Sequence, residues 1–244
     1  MDSWSESDKG LVRKDNEDAL VTYCDDEMKL ALFVLCDGMG GARAGGTASR
    51  LAADVFVNAI RISVTAESGL EEITAAMTDA LKQANAAVFS RSSEDPNCRG
   101  MGTTLVSLLA TRESAVVINV GDSRAYFLNP YGIRQITRDH SVIEDMIDRG
   151  TITRDQSKFT PGKNLITRAV GTLPEVEGDV FPITVKEGEF VFLCSDGLSN
   201  MVSDQEILYE ALRGSDTGSC CKRLLSLAIE RGAPDNVSMV LFRK

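Results

Sequence analysis

Three short apolar runs in this chain each end on an aspartate. Leu32-Phe33-Val34-Leu35-Cys36 leads straight into Asp37-Gly38, Val116-Val117-Ile118-Asn119-Val120 passes through Gly121 to Asp122-Ser123, and Phe190-Val191-Phe192-Leu193-Cys194 passes through Ser195 to Asp196-Gly197. A carboxylate at the tip of a buried strand is poorly hydrated, so it stays ionised only beside a cation, a basic side chain or several hydrogen-bond donors. Asp235-Asn236, after the Ala233-Pro234 breaker, supplies a fourth such position, and Asn16-Glu17-Asp18 adds two more acids. Taken singly, Asp-Gly is a common turn dipeptide; its recurrence at strand exits points to a shared cation site. Gly38 lacks the Cβ that would keep an ion from its backbone and is freed from ordinary φ limits, so its carbonyl is a further candidate ligand. Hard oxygen ligands select Mg²⁺ or Mn²⁺, whereas zinc would recruit imidazole or thiolate. The chain has one histidine, His140.

These acids need a scaffold to bring them together. Leu30–Cys36, Thr103–Ala110, Ala115–Val120, Ala125–Leu128, Phe190–Cys194 and Val237–Phe242 are aliphatic or aromatic runs bounded by turn residues, and they read as strands. Apolar residues recur at helical spacing through Ala48, Leu51, Ala52, Val55, Phe56, Ala59 and Ile60, and again from Ile73 to Val88, giving two helices joined around Ser68-Gly69. Ile207, Leu208, Ala211 and Leu212 mark a third, with Ser203 as N-cap and Glu206 as its capping-box partner, and Cys221 to Ile229 a fourth. Strands, a helix pair, a block of strands with short turns such as Asn129-Pro130-Tyr131-Gly132, then helices and a last strand do not make a doubly wound sheet. The order predicts an α+β fold of two packed, mainly antiparallel sheets covered by helix pairs. The stretch at about 143–182, with its mixed charge and its Thr160-Pro161-Gly162-Lys163 turn, reads as an inserted flap within a single domain of residues 1–244.

Composition narrows the function. With 36 acidic and 26 basic residues the net charge is −10, which repels nucleic-acid phosphates, and no basic patch offsets it. No apolar run could span a bilayer, and no signal peptide opens the chain, so a cytosolic protein with six reduced cysteines is expected. Several phosphate-handling chemistries fail on inventory. No cysteine is followed by five residues and an arginine, no DxDxT motif occurs, and one histidine cannot build a histidine-rich binuclear centre. The glycine-rich turn after Leu30–Cys36 is not a dinucleotide fingerprint, because Arg43 stands where the third glycine belongs.

Taken in order, several motifs carry a resemblance. Gly10-Leu11-Val12-Arg13 with Asn16-Glu17-Asp18, Asp37-Gly38-Met39-Gly40-Gly41, Gly102-Thr103-Thr104, Val120-Gly121-Asp122-Ser123-Arg124-Ala125, Thr137-Arg138-Asp139-His140-Ser141, Ser195-Asp196-Gly197 and Asp235-Asn236-Val237-Ser238 resemble the motifs of bacterial protein phosphatase 2C (PPM) enzymes across nearly the whole chain. The resemblance implies a four-layer α-β-β-α sandwich with a flap, and a metal-dependent serine/threonine protein phosphatase. It implies that Asp37 bridges two Mn²⁺ or Mg²⁺ ions, with the Gly38 carbonyl on one and Asp196 and Asp235 on the other. Glu17 and Asp18 would hold metal-bound waters, Asp122 would serve a third, weaker site, and Arg13 would receive the phosphate oxygens. Hydrolysis would proceed by in-line attack of a metal-activated water without a covalent phosphoenzyme. The expected partners are phosphorylated proteins, substrates of a bacterial serine/threonine kinase, acted on by a monomer without nucleic acid or membrane. One departure concerns the proton donor to the leaving oxygen. Family members from higher organisms carry a histidine where this chain has Met39, and bacterial relatives often carry a histidine and a glutamate where it has Ala42 and Gly46. A metal-bound water and His140 are the alternatives for that role, although His140 reads first as a polar anchor at the base of the flap. A chain that kept the fold only to bind a phosphorylated partner would have lost a ligand, and Asp37, Asp196 and Asp235 are all present.

Overall fold

The computed structural model describes residues 2–25, 30–40, 44–157, 160, 165–214 and 216–244. Two antiparallel sheets lie face to face. One contains β2 (Asp18–Asp25), β3 (Leu30–Met39), β5 (Leu105–Ala110), β6 (Ala115–Val120) and β9 (Asp179–Ile183) in that spatial order, with the short β4 (Gly102–Thr103) pairing the end of β3. The other contains β1 (Asp2–Asp8), β11 (Val237–Arg243), β10 (Phe190–Cys194), β7 (Arg124–Asn129) and β8 (Gly132–Gln135).

The unbroken apolar character of the central strands follows from burial on both faces. Along β3, Leu32, Val34 and Cys36 share a core with Phe56 and Ile60 of α1 (Ala44–Ser63) and Met77 and Leu81 of α2 (Leu70–Glu94). The alternate residues Ala31, Phe33 and Leu35 face the other sheet, where they meet Val191, Leu193, Val240 and Phe242. Phe33 and Phe242 bridge that layer with ring centroids 5.5 Å apart. The outer face of the second sheet, through Phe192, Cys194, Met239 and Leu241, packs on Ile207 and Ala211 of α6 (Asp204–Arg213) and on Leu224 and Ala228 of α7 (Thr217–Glu230). Each such side chain withdrawn from water contributes about 1.5–3 kcal/mol, so three apolar layers lock the two sheets in register. The result is the expected helix-sheet-sheet-helix sandwich.

The local signals act where they were read. The Glu206 carboxylate accepts from the Ser203 backbone N–H at 3.0 Å and starts α6, and α2 begins after Gly69, whose N–H reaches Glu72 at 3.2 Å. Four strands escaped the sequence reading: β1, β2, β8 and β9. Asp179–Ile183, expected partly within the flap, is instead an edge strand on β6, a position that tolerates Pro182. The flap proper carries α3 (Val142–Asp148) and α4 (Arg154–Ser157). The turn expected at 161–163 and the motif residues Gly41, Ala42 and Arg43 lie outside the described residues. All six cysteines are free thiols, and among the described residues no helix is long and apolar enough to cross a membrane.

Candidate active site

The two sheets deliver their acids to one end. Asp37 lies near the end of β3, Asp122 follows β6, Asp196 opens the short α5 (Asp196–Ser199) after β10, and Asp235 precedes β11. All four line a single cleft of about 430 Å³, together with Gly38, Glu17 and Arg13, and with Lys14, Asp15, Met39, Thr104, Ile166 and Asn236. Residues from both sheets and from the loop after β1 therefore converge as the sequence predicts. Asp18 is the exception. It pairs with Asp37 in the β2–β3 register but is buried behind the cleft wall.

Two threonine side chains hold the backbone of Asp37 in place. Thr104 Oγ1 accepts from the Asp37 N–H at 2.9 Å and pairs with Ser123 Oγ at 2.8 Å, while Thr103 Oγ1 donates to the Asp37 carbonyl at 2.9 Å. Asn236, buried beside Asp235, joins the two sides of the cleft. Its Oδ1 accepts from Glu17 N at 2.9 Å, and its Nδ2 donates to the carbonyls of Lys9 and Asp15 at 2.9 and 3.0 Å. Arg13 lies within this clamped loop and donates from Nη2 to Asp235 Oδ2 at 2.7 Å. Neither Asn236 nor Thr104 was singled out from the sequence, although both sit within the motifs; an amide beside a site acid before a strand is the signal that could have marked the first.

Three glycines permit the close approach of these segments. A Cβ on Gly10, which has φ +73°, would lie 2.2 Å from the Asp235 carbonyl oxygen, and one on Gly197 would lie 1.9 Å from that of Asn236. At Gly38 the reason differs from the one read in the sequence. Gly38 is not among the positive-φ residues; it lies in β3 opposite Thr103, and a Cβ there would meet the carbonyl oxygens of Gly45 at 2.2 Å and Glu17 at 2.7 Å. Glycine at 38 is needed so that the start of α1 can pack against the strand end.

The electrostatics are those of acids crowded together. Burial, then the neighbouring Asp18, Asp196, Asp122 and Asp235, hold the Asp37 carboxyl well above the usual range. Burial pushes Asp122 up to about 7, helped by Asp196 and Asp139. Burial and Asp235 raise Asp196. Asp18 is likewise pushed to about 7, chiefly by burial, against the opposing hydrogen bonds of Ser238 and Ser195. Its Oδ2 accepts from Ser195 Oγ at 3.1 Å, whereas its buried Oδ1 has no hydrogen-bond partner.

Does this site fit divalent cations? Among the described residues no three His, Cys, Asp or Glu side chains already stand in a metal-holding geometry. The charge balance of the cleft nevertheless calls for them. Among the described residues six carboxylates line it (Asp15, Glu17, Asp37, Asp122, Asp196 and Asp235) against two bases (Arg13 and Lys14), a formal excess of four negative charges that two divalent ions would cancel. The donors are all oxygens, which suits Mg²⁺ or Mn²⁺, and the orphaned Oδ1 of Asp18 lies one layer behind. The residues fit divalent cations in charge and in donor type.

His140 is not on the cleft. Its ring Nδ1 accepts from Gly121 N at 3.1 Å and its Nε2 lies 3.3 Å from Asp179 Oδ2. Of its two readings from sequence, proton donor and flap anchor, the geometry selects the anchor.

Comparison with known proteins agrees with this arrangement. A family model described as Protein phosphatase 2C matches residues 9–215. The chain is 33% identical over 239 residues to a serine/threonine phosphatase stp of Listeria monocytogenes, covering 98% of this chain and 94% of that one. It is 36% identical over 235 residues to the serine/threonine protein phosphatase PstP of Mycobacterium tuberculosis, covering 96% of this chain but 43% of that longer protein. A crystal structure of the PstP catalytic domain in complex with two manganese ions superposes with a TM-score of 0.85 at 33% identity, covering 98% of this chain and 96% of that one. The crystal structure of Stp1 from Staphylococcus aureus gives 0.92 at 32% identity, over 99% and 94%. With the motifs, the sandwich and the acidic cleft all in agreement, this chain belongs to the protein phosphatase 2C family.

Proposed function

We propose that the protein hydrolyses phosphoserine and phosphothreonine in proteins, using the acidic cleft to hold two divalent cations. The observation that carries this reading is the convergence of Asp37, Asp122, Asp196 and Asp235, drawn from both sheets, with Arg13 at the rim of the same cleft. Asp37, the Gly38 carbonyl, Asp196 and Asp235 would hold the two ions, while Asp122 would serve a third, weaker site. When bound, Mn²⁺ or Mg²⁺ supplies an acidified water at neutral pH and neutralises charge on the phosphoryl oxygens.

The chain's own groups account for the rest. Arg13 presents a planar fork that can give two parallel hydrogen bonds to phosphate oxygens, orienting the ester for in-line displacement. Among the described residues no serine, cysteine or histidine lines the cleft, and its one hydroxyl, Thr104 Oγ1, is engaged by Asp37 N and Ser123. The remaining nucleophiles there are the carboxylates, which the cations would engage as ligands, and this favours direct attack by water. Glu17, at the cleft wall, and Asp18, behind it, would accept hydrogen bonds from waters in the site. The natural substrates in this reading are phosphoproteins made by a serine/threonine kinase, met by a cytoplasmic monomer.

Turnover of para-nitrophenyl phosphate by the purified protein with Mn²⁺ tests the proposal. Activity should require Mn²⁺, cease with EDTA, and be abolished in Asp37→Asn and Asp196→Asn, each of which removes a negative ligand. Hydrolysis that survives chelation, or a normal rate in either variant, would exclude the mechanism.

A further inference from the structure

The flap is tied to the body through two short backbone runs. His140-Ser141-Val142 leads out and Leu165-Ile166-Thr167 leads back, joined by Val142 N to Leu165 O at 2.9 Å, Thr167 N to His140 O at 2.8 Å, and a bridge between Ser141 and Ile166. Ile166 then lines the catalytic cleft. At the same point His140 grips Gly121, the residue before Asp122, from both sides. Its backbone N–H donates to the Gly121 carbonyl at 2.9 Å, and its ring Nδ1 accepts from the Gly121 N–H at 3.1 Å.

Because Nδ1 is an acceptor, the neutral ring carries its proton on Nε2, which faces Asp179 Oδ2 at 3.3 Å. Asp179 is itself held by Arg168, whose Nη1 lies 3.0 Å from its other oxygen. Gly121 has little freedom of its own, with φ +106° and Thr104 Cγ2 only 2.5 Å from where its Cβ would be. The one imidazole of the chain is thus buried at a junction between the flap and the loop that carries Asp122.

We infer that His140 is a positioning residue: it fixes the loop that aims Asp122 and seats the base of the flap with the same side chain, while Asp179 sets the ring tautomer that makes this possible. The inference rests on the reading of Asp122 as the ligand of a weaker cation site. It assigns a task to the family's motif around Thr137-Arg138-Asp139-His140-Ser141 that proton donation does not explain.

The decisive comparison is His140→Asn with His140→Ala. An asparagine Oδ1 occupies nearly the place of Nδ1 and can accept the Gly121 N–H, but cannot reach Asp179; alanine does neither. With para-nitrophenyl phosphate and Mn²⁺, the alanine variant should lose about tenfold to a hundredfold in kcat with little change in KM, the loss expected for one orphaned buried donor. Calorimetric titration with Mn²⁺ should show the weaker binding event lost and the tight events kept. The asparagine variant should recover most of the rate and the weaker event. Asp179→Asn, at a half-exposed position that does not threaten folding, should show a smaller loss of about twofold to fivefold in kcat, as expected for weakening one polar contact. If His140→Ala fails to fold, His140→Asn and Asp179→Asn decide the matter. Asparagine as damaging as alanine, a full rate in Asp179→Asn, or loss of the tight events instead of the weak one would overturn the inference. A wild-type protein inactive with Mn²⁺ would instead overturn the phosphatase reading itself.

Discussion

Replacing Arg13 by alanine should move cation binding and catalysis in opposite directions. In the folded protein Arg13 Nη2 sits 2.7 Å from Asp235 Oδ2, and the side chains are 52% and 30% exposed. The hydrogen bond to Asp235 is the main reason that the guanidinium's pKa is raised, with Glu17 and Asp37 adding to it. A cation on Asp235 draws on the same carboxylate, so arginine and metal compete for it. An ion pair this exposed is worth about 0.2–1 kcal/mol, and removing the competitor should tighten Mn²⁺ binding by about 1.4-fold to fivefold. The phosphate, by contrast, loses charge-assisted hydrogen bonds worth about 1.5–3 kcal/mol, so kcat/KM for para-nitrophenyl phosphate should fall by about tenfold to 150-fold. Calorimetry with Mn²⁺ and steady-state kinetics on the same preparation read both effects. Weaker Mn²⁺ binding in Arg13→Ala would refute the reasoning, because it would mean that the arginine supports the cation site by shaping the Asp235 loop.

Three further outcomes follow from the geometry. Asp18 and Asp122 titrate near 7 in the folded state against an ordinary 3.8, so the native protein holds these protons more tightly than the unfolded chain; their stabilising contribution is whole below about pH 4 and is lost as pH rises through about 7, at up to about 1.4 kcal/mol per pH unit for each. Thermal melts in EDTA should therefore show a midpoint falling from pH 5 to pH 7.5, with Mn²⁺ restoring progressively more over that window, and a midpoint flat in EDTA would contradict the assignment. Asn236→Ala leaves the Glu17 N–H and two carbonyls without their partner; it should cost about 3–5 kcal/mol in urea unfolding, and a loss under 1 kcal/mol would mean that water replaces the amide at no penalty. Gly197→Ala drives a methyl into the Asn236 carbonyl oxygen, which its Cβ would approach to 1.9 Å, and should destabilise by about 3 kcal/mol or more; an unchanged urea midpoint would show that the two loops have room to part.

The parts of the fold that were legible are those whose burial is complete. Phe190–Cys194 and Ala115–Val120 are buried at every position, so the apolar run and the strand coincide to the residue. β1 and β2 were missed because Asp-Ser-Trp-Ser-Glu-Ser-Asp and the acid-bounded Asp18–Asp25 lie on sheet edges, where half-exposed positions accept polar side chains and erase the period. β9 was hidden by Pro182, which only an edge permits. At the site, the acids announced themselves because an aspartate at the exit of an apolar run has few explanations. What stayed hidden was relational: that Gly38 makes room for Gly45, that Asn236 bridges segments more than two hundred residues apart, and that His140 faces away from the cleft are facts of tertiary packing. No local pattern encodes them.

The pairing of β1 with β11 runs in full register from Asp2 with Arg243 to Asp8 with Val237. The loop bearing Arg13 hangs from the first of these strands and Asp235 from the second, so the contact between Arg13 and Asp235 at the cleft rim is assembled by that pairing. Closing so long a loop is entropically the hardest contact to make and is expected late in folding. A chain in which Val237–Arg243 has not yet paired with Asp2–Asp8 would thus carry most of its carboxylates and both helix pairs without the contact between Arg13 and Asp235.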